Sequence, residues 1–424
     1  MNARSAKPPS SACASLGTRY REVRDLTTAL AAPLSEADLT VQSMDDASPG
    51  KWHLAHTTWL FEEFLLGPYQ PGYRAFSADY RYLFNSYYEH VGPRHPRPRR
   101  GLLTRPPLAD VLAYRRAVDE AMGRLLEGDL PSAAASLVEL GLHHEQQHQE
   151  LLLTDVLHLL AQNPLHPAYC PAPPPEPPAG TAAAPAWLES AGGQVEVGHT
   201  GDGFAFDCEG PRHAVLLLPH AIASRPVSNG EWLDFMADGG YRRPTLWLSD
   251  GWARSQAEGW DSPLYWQERD GEWWQMGLHG LRPVEVEAPV SHVSYFEADA
   301  FARWAGKRLP TEFEWENAAT RLPVDGNFLG SGRLRPAAAP EGGPSRQFYG
   351  DVWEWTASAF LPYPRYRPAG GAVGEYNGKF MCGQFVLRGG SCVTPDGHLR
   401  PTYRNFFYPH QRWQFSGVRL ADDR

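Results

Sequence analysis

The stretch SLVELGLHHEQQHQELLLTDVLHLLAQ, residues 136–162, decides the architecture of the first part of the chain. Apolar residues or histidine recur at 137, 140, 144, 148, 151, 152 and 159, mostly in the steps of three and four that trace one face of a helix, and Asp155 breaks the stripe. On such a helix His144 and His148 lie one turn apart on one face, the geometry that lets two imidazoles hold one metal ion. The surrounding leucines turn the pair inward, where imidazoles are costly unless hydrogen-bonded or metallated.

The same letters spell H-E-x-x-H, the zinc-peptidase helix motif in which Glu145 would be the general base. That reading needs a third ligand. Its extended form places His at 154 and Gly at 151, where this chain has Thr154 and Leu151. A downstream Glu has no following helix to sit on, because a Pro-rich segment begins at 163. A third ligand from another helix is the better expectation, since bundle metal sites are built from facing helices.

Residues 15–34, 50–66 and 110–128 supply three more helical patterns, so residues 1–162 are expected to form a four-helix bundle. WHLAH, 52–56, offers two histidines: His56 shares a stripe with Trp52, Trp59 and Leu60 and is the expected third ligand, with His53 second. His90, His95 and His158 fall in a loop or a helical step off the stripe. Three neutral imidazoles leave several positions open, which makes a hydroxide on zinc, or on ferrous iron a centre able to hold substrate and O2 together. Spacing does not choose between them.

Residues 163–186, NPLHPAYCPAPPPEPPAGTAAAPA, read as a semi-rigid connector. Residues 187–424 then change texture: short apolar runs, dense Gly and Trp, and clear helical patterns only at 294–307 and 311–320, which indicates a loop-rich α+β domain. The apolar content of 42% is that of a globular chain with a packed core. A net charge of −10 argues against a nucleic-acid partner, and no run approaches the roughly 20 apolar residues that span a bilayer. The N-terminal residues lack an apolar leader pattern, and five scattered cysteines without C-x-x-C spacing read as reduced thiols, so the expected location is cytoplasmic.

WHLAHTTWLFEEF (52–64) and HHEQQHQELLLTDVLH (143–158) resemble a DinB-like bundle. PVSNGEWLDFM (226–236), the run 289–319, GDVWEWTAS (350–358), VLRGGSC (386–392), RPTYRNFF (400–407) and GVRL (417–420) resemble the formylglycine-generating-enzyme (sulfatase-modifying factor) family, whose fold is C-type-lectin-like. In this order the two are similar to the ergothioneine-biosynthetic sulfoxide synthases over nearly the whole chain. The resemblance implies Fe(II) on His56, His144 and His148, and a reaction that joins a thiol sulfur to C2 of the hercynine (N-α-trimethylhistidine) imidazole and oxidises it with O2.

Arg97 and Arg100, in RPRRG, can fork onto the carboxylate of an amino-acid thiol. Gln147 lies beside the ligand face and could bond the substrate imidazole. Asn405 matches the family position near the trimethylammonium group, and Phe406 and Phe407 could add cation–π attraction to it. Tyr87 and Tyr88, with a phenol pKa of about 10, are the candidate proton donors; relatives often supply a tyrosine from the second domain instead, for which Tyr376 in EYNGKF is available. NSYYE (85–89) and EYNGKFM (375–381) look like the family branch that takes free cysteine rather than γ-glutamylcysteine, and the absence of a methyltransferase segment points away from the ovothiol branch. Two other readings stand beside this one. A formylglycine-generating oxidase needs a close cysteine pair, whereas Cys382 and Cys392 are ten apart; a binding module with a structural metal would be expected to close its coordination shell.

Overall fold

Three of the four bundle helices start directly after a proline, whose fixed φ suits entry into a first turn. Helix α1 (Leu16–Ala31) is capped by the Ser15 hydroxyl; α2 (Gly50–Phe61), α3 (Leu108–Leu126) and α4 (Ser132–Ala161) follow Pro49, Pro107 and Pro131. The computed structural model describes residues 15–171, 184–201, 203–339 and 347–424; the expected connector therefore lies partly outside the described residues, at 172–183. Its first part is not an extended spacer, because Tyr169 is buried, donates its hydroxyl to Leu30 O at 2.7 Å and its amide to Leu278 O at 2.8 Å.

The bundle agrees with the sequence pattern to within a few residues at each end, and α2 runs on through a π turn at Glu62–Leu66. Between Gly141 and Leu157 of α4 only Gln146, Gln147 and Leu151 escape full burial. At Gly141 a side chain would collide with Phe61, whose Cε1 lies 2.6 Å from an added Cβ, so the missing side chain is what lets α4 approach α2.

Helix α4 carries charge into this interior, and α1 and α3 neutralise it. Glu145 accepts from Arg24 Nη1 at 2.9 Å, Arg115 Nη2 at 2.5 Å and Thr27 Oγ1 at 2.6 Å. Arg24 also reaches Asp119 at 2.6 Å and Thr58 at 2.9 Å, so the network touches all four helices.

Among the described residues the second domain is four small sheets rather than one large one. Strands β1 (Trp187–Ser190), β2 (Gly193–Val197), β3 (His213–Leu217) and β4 (His220–Ala223) are followed by β5 (Trp266–Arg269), β6 (Glu272–Gly277) and β7 (Gly280–Pro283). The last five are β8 (Trp353–Ala359), β9 (Phe385–Arg388), β10 (Asn405–Phe407), β11 (Ser416–Gly417) and β12 (Ala421–Asp423). They order as β1-β4-β12, β10-β9-β8-β11, β2-β3 and β5-β6-β7, antiparallel apart from β11 beside β8. Helices α5 (Asn229–Ala237), α6 (Ser249–Glu258), α7 (Tyr295–Trp304) and α8 (Glu312–Ala319) cover them. The sequence pattern indicated α7 and α8 but not α5 and α6, although Ser228 and Glu231 form the same capping box that starts α7 and α8. No helix of the described residues is long and apolar enough to cross a membrane.

Replacing Glu145 by Gln leaves the buried Arg115 guanidinium without a paired carboxylate and Arg24 with Asp119 alone, and a loss of about 3 kcal/mol in urea unfolding of the metal-free protein is expected. Burial alone would raise the Glu145 carboxyl, but Arg115 and Arg24 outweigh it and hold it at about 2. Its contribution is therefore complete above the ordinary value of 4.5 and lost as pH falls toward about 2, so the variant should show a flatter acid limb in stability against pH.

Candidate metal centre

Helices α2 and α4 bring His56, His144 and His148 together, with one ring nitrogen of each within 4.8 Å of the others. This is the single such group of His, Cys, Asp or Glu among the described residues. The His56 Nδ1–H donates to Phe84 O at 2.7 Å, which leaves Nε2 as a buried lone pair without a partner. Neither nitrogen of His144 has a partner. His148 turns Nδ1 to His53 Nδ1 at 2.8 Å, and His53 Nε2 meets Asp155 Oδ2 at 3.0 Å.

Buried nitrogens without partners cost more than they return unless something fills the space between them. A divalent metal fits that donor set. Burial holds all three imidazoles well below the usual histidine range, His144 at about 3, and the neighbouring imidazoles add to the effect at His56 and His148. All three are thus neutral at pH 7, with lone pairs free to ligate. Glu145 points to the opposite side of α4, into its two arginines, so it is not poised as the general base of a peptidase.

Trp52 stacks on His56 with centroids 4.5 Å apart, and the Arg100 guanidinium lies 3.4 Å from the centre of the same ring. Two groups that close cannot share one face, so the indole is sandwiched between them. Arg100 donates to Ser48 Oγ at 2.9 Å and Ser86 Oγ at 3.4 Å, its Nε has no partner, and no carboxylate of the described residues pairs with it. Burial and then Arg97 push its pKa well down, against an upward pull from Asp155. Arg97 differs: it sits exposed at the start of the turn Arg97–Leu102.

The tyrosines are distributed between the domains. Tyr376, from the second domain, places its ring edge against His144 with centroids 5.6 Å apart, and its hydroxyl donates to Gln147 Oε1. Tyr87 lies 6.4 Å from Tyr376 and 4.6 Å from Tyr88, while Tyr88 is buried against Trp59 and Phe64. Of the three, Tyr376 is the one whose ring touches a metal-site histidine. Burial, then Tyr87 and Tyr88, pushes its phenol well up, so it keeps its proton at neutral pH. Glu375 fastens this segment to the bundle by accepting from the amides of Glu89 and His90. A cavity of about 1020 Å³ opens between α1, the first turns of α4, and the segments 203–207 and 369–377, with Tyr376 in its wall.

Gln147 is held from both sides, since its Nε2 donates to Tyr403 Oη at 2.6 Å. Asn405 stands on β10 with its side chain turned back to the Phe406 amide. Phe406 stacks on Phe360 at 4.1 Å as core, and Phe407 meets the edge of Trp413, the residue that donates to Asp155. Two groups escaped the sequence reading: Asp155, whose signal was the break it makes in an apolar stripe, and Tyr403 with His398, which carry no local signal.

Residues 19–152 match the DinB superfamily, and residues 175–341 and 344–424 match the sulfatase-modifying factor enzyme 1-like domain. Hercynine oxygenase of Mycolicibacterium smegmatis is 35% identical over 422 residues, 92% of this chain and 94% of that protein. Hercynine oxygenase of Mycolicibacterium thermoresistibile is 34% identical, over 92% of this chain and 90% of that one. A formylglycine-generating enzyme of Streptomyces coelicolor is 29% identical over 55% of this chain and 87% of its own.

After anaerobic reconstitution and desalting, metal analysis should find one divalent ion in the unaltered protein and none in His144→Ala or His148→Ala. Retention in either variant would remove that residue from the ligand set.

Proposed function

This chain belongs to the hercynine oxygenase family, and from that premise we propose that it joins the sulfur of cysteine to C2 of the hercynine imidazole and oxidises that sulfur to the sulfoxide. Forming the C–S bond removes two electrons and oxidising sulfur removes two more. One O2 accepts all four, so that one oxygen atom enters the sulfoxide and the other leaves as water. The observation that carries the reading is the convergence of three neutral, buried imidazoles, several of their nitrogens without partners, one indole away from an unpaired guanidinium. Ferrous iron on His56, His144 and His148 would supply O2 binding and electron transfer; a three-histidine shell departs from the usual two histidines and a carboxylate.

The chain's own groups do the positioning. Arg100 takes the carboxylate of the thiol substrate in a buried fork, with Arg97 as an outer attraction. One inner guanidinium suits the one carboxylate of cysteine; γ-glutamylcysteine brings two. Gln147, fixed by Tyr376 and Tyr403, presents its amide beside the ligand face to the imidazole substrate. Asn405 and Phe407 are the groups proposed for its trimethylammonium end, while Phe406 is assigned to packing. Tyr376, whose ring lies against His144, is proposed as the proton donor, with Tyr87 and Tyr88 behind it. The four described cysteines are free thiols, which supports a cytoplasmic place of action.

Incubation of the Fe(II)-loaded protein with hercynine, O2 and either thiol, read by mass spectrometry, should give hercynylcysteine sulfoxide. Preferred turnover of γ-glutamylcysteine would reassign the sulfur donor. Arg100→Leu should raise the KM for the thiol at least tenfold while leaving that for hercynine within about threefold, a loss of about 1.4 kcal/mol or more in thiol binding. Tyr376→Phe should divert turnover toward oxidation of the thiol alone; if Tyr87→Phe or Tyr88→Phe does so instead, the donor role passes to that residue.

A further inference from the structure

Asp155 is one of three buried carboxylates on α4, with Glu145 and Glu150. It accepts from Ser48 N at 2.8 Å and Trp413 Nε1 at 3.1 Å, both obligate donors, and its Oδ2 also meets His53 Nε2 at 3.0 Å. A carboxylate that only accepts takes the proton on His53 Nε2 and leaves His53 Nδ1 as a lone pair. Facing that lone pair at 2.8 Å is His148 Nδ1, which must then be the donor. The remaining nitrogen of His148, Nε2, is left bare.

We propose that Asp155 and His53 are positioning residues that hold His148 in the tautomer whose Nε2 lone pair is available to the metal. The inference rests on the three-histidine metal centre above and adds the pair that sets its geometry. Reversing one proton in the chain would reverse all of them, because a proton on His53 Nδ1 would force the His148 proton onto Nε2, where it blocks ligation. Trp413 ties the same carboxylate to the second domain, so the order of the chain depends on both domains being docked.

The test is a Co(II) titration of the full-length, metal-free protein, followed by the visible absorption of the bound ion. His53→Leu removes the acceptor and should weaken Co(II) binding about 10- to 100-fold. His53→Asn puts a carbonyl oxygen where Nδ1 stood and should recover affinity to within about threefold of the unaltered protein, which a merely structural role for the ring would not do. Asp155→Ala, which frees His53 to exchange tautomers, should also weaken binding at least about tenfold. Co(II) affinity in His53→Leu equal to the unaltered protein, equal losses in His53→Leu and His53→Asn, or full affinity in Asp155→Ala would each overturn the proposal. Failure of the unaltered protein to bind one ion would overturn the metal centre itself. The His53 pair decides the matter even where Asp155→Ala does not fold.

Discussion

Everything in this molecule turns on one helix that has almost no face to water. From Gly141 to Leu157, α4 buries histidine, glutamate, glutamine and aspartate among leucines. A buried polar group left unpaired costs on the order of 1–3 kcal/mol, and a charged one more, so each has to find its partner on another element. His144 apart, whose nitrogens have no protein partner, they find them, and the side chains turn in three directions. Glu145 and Gln149 turn to α1, where Arg24, Thr27 and the Val23 carbonyl receive them. His144, His148 and Asp155 turn to α2 and its His56 and His53. His143, Gln147 and Glu150 turn to the second domain, meeting His398, Tyr403 and the Trp353, Ser391 and Thr394 group. Turning the helix by one residue, about 100°, would break all three sets at once.

That arrangement explains what could be read from letters alone. The i, i+4 pair and the bundle follow from a period of 3.6, which is local information, and the choice of His56 over His53 follows from the stripe it shares with Trp52 and Trp59. Partners across elements are not local. Nothing near residue 376 says that its ring will lie against His144, and nothing in RPRRG separates Arg97, exposed, from Arg100, buried under an indole. The turn Arg97–Leu102 makes that separation. Nor does the sequence separate Phe406 from Phe407: consecutive residues of a β-strand point to alternate faces, and the face of Phe406 is the Phe360 stack. Helices α5 and α6 were hidden by brevity and by their tryptophans, which read as loop packing.

The second domain shares its sequence pattern with formylglycine-generating enzymes, yet its cysteines are placed for no paired chemistry. Cys382 is exposed and Cys392 buried, both as free thiols. What the domain gives the centre is enclosure and one phenol. Tyr376 reaches His144 because Glu375 grips the loop at Glu89 and His90, so the grip and the phenol are adjacent in sequence. Its internal charges are settled separately, Glu312 by Arg388 and Arg404 and Glu354 by Arg419, which leaves its surface toward α4 to the neutral donors of Trp353, Ser391 and Thr394.

The stripe His143, Gln147 and Glu150 also bears on how the chain is made. Synthesis runs from the N-terminus, and domains form as units while the rest is still to come. The bundle, with its arginine network and its three histidines, is complete in sequence at residue 161, more than two hundred residues before Tyr376 emerges from the ribosome. During that interval the side of α4 that will later meet the second domain faces solvent. The imidazole, the amide and the carboxylate give water something to solvate, but further along α4 Leu153, Val156 and Leu157 share a buried cluster with Met276, Leu278 and Val393 of the second domain, so the half-made protein keeps an apolar end on α4 uncovered until the rest of the chain arrives.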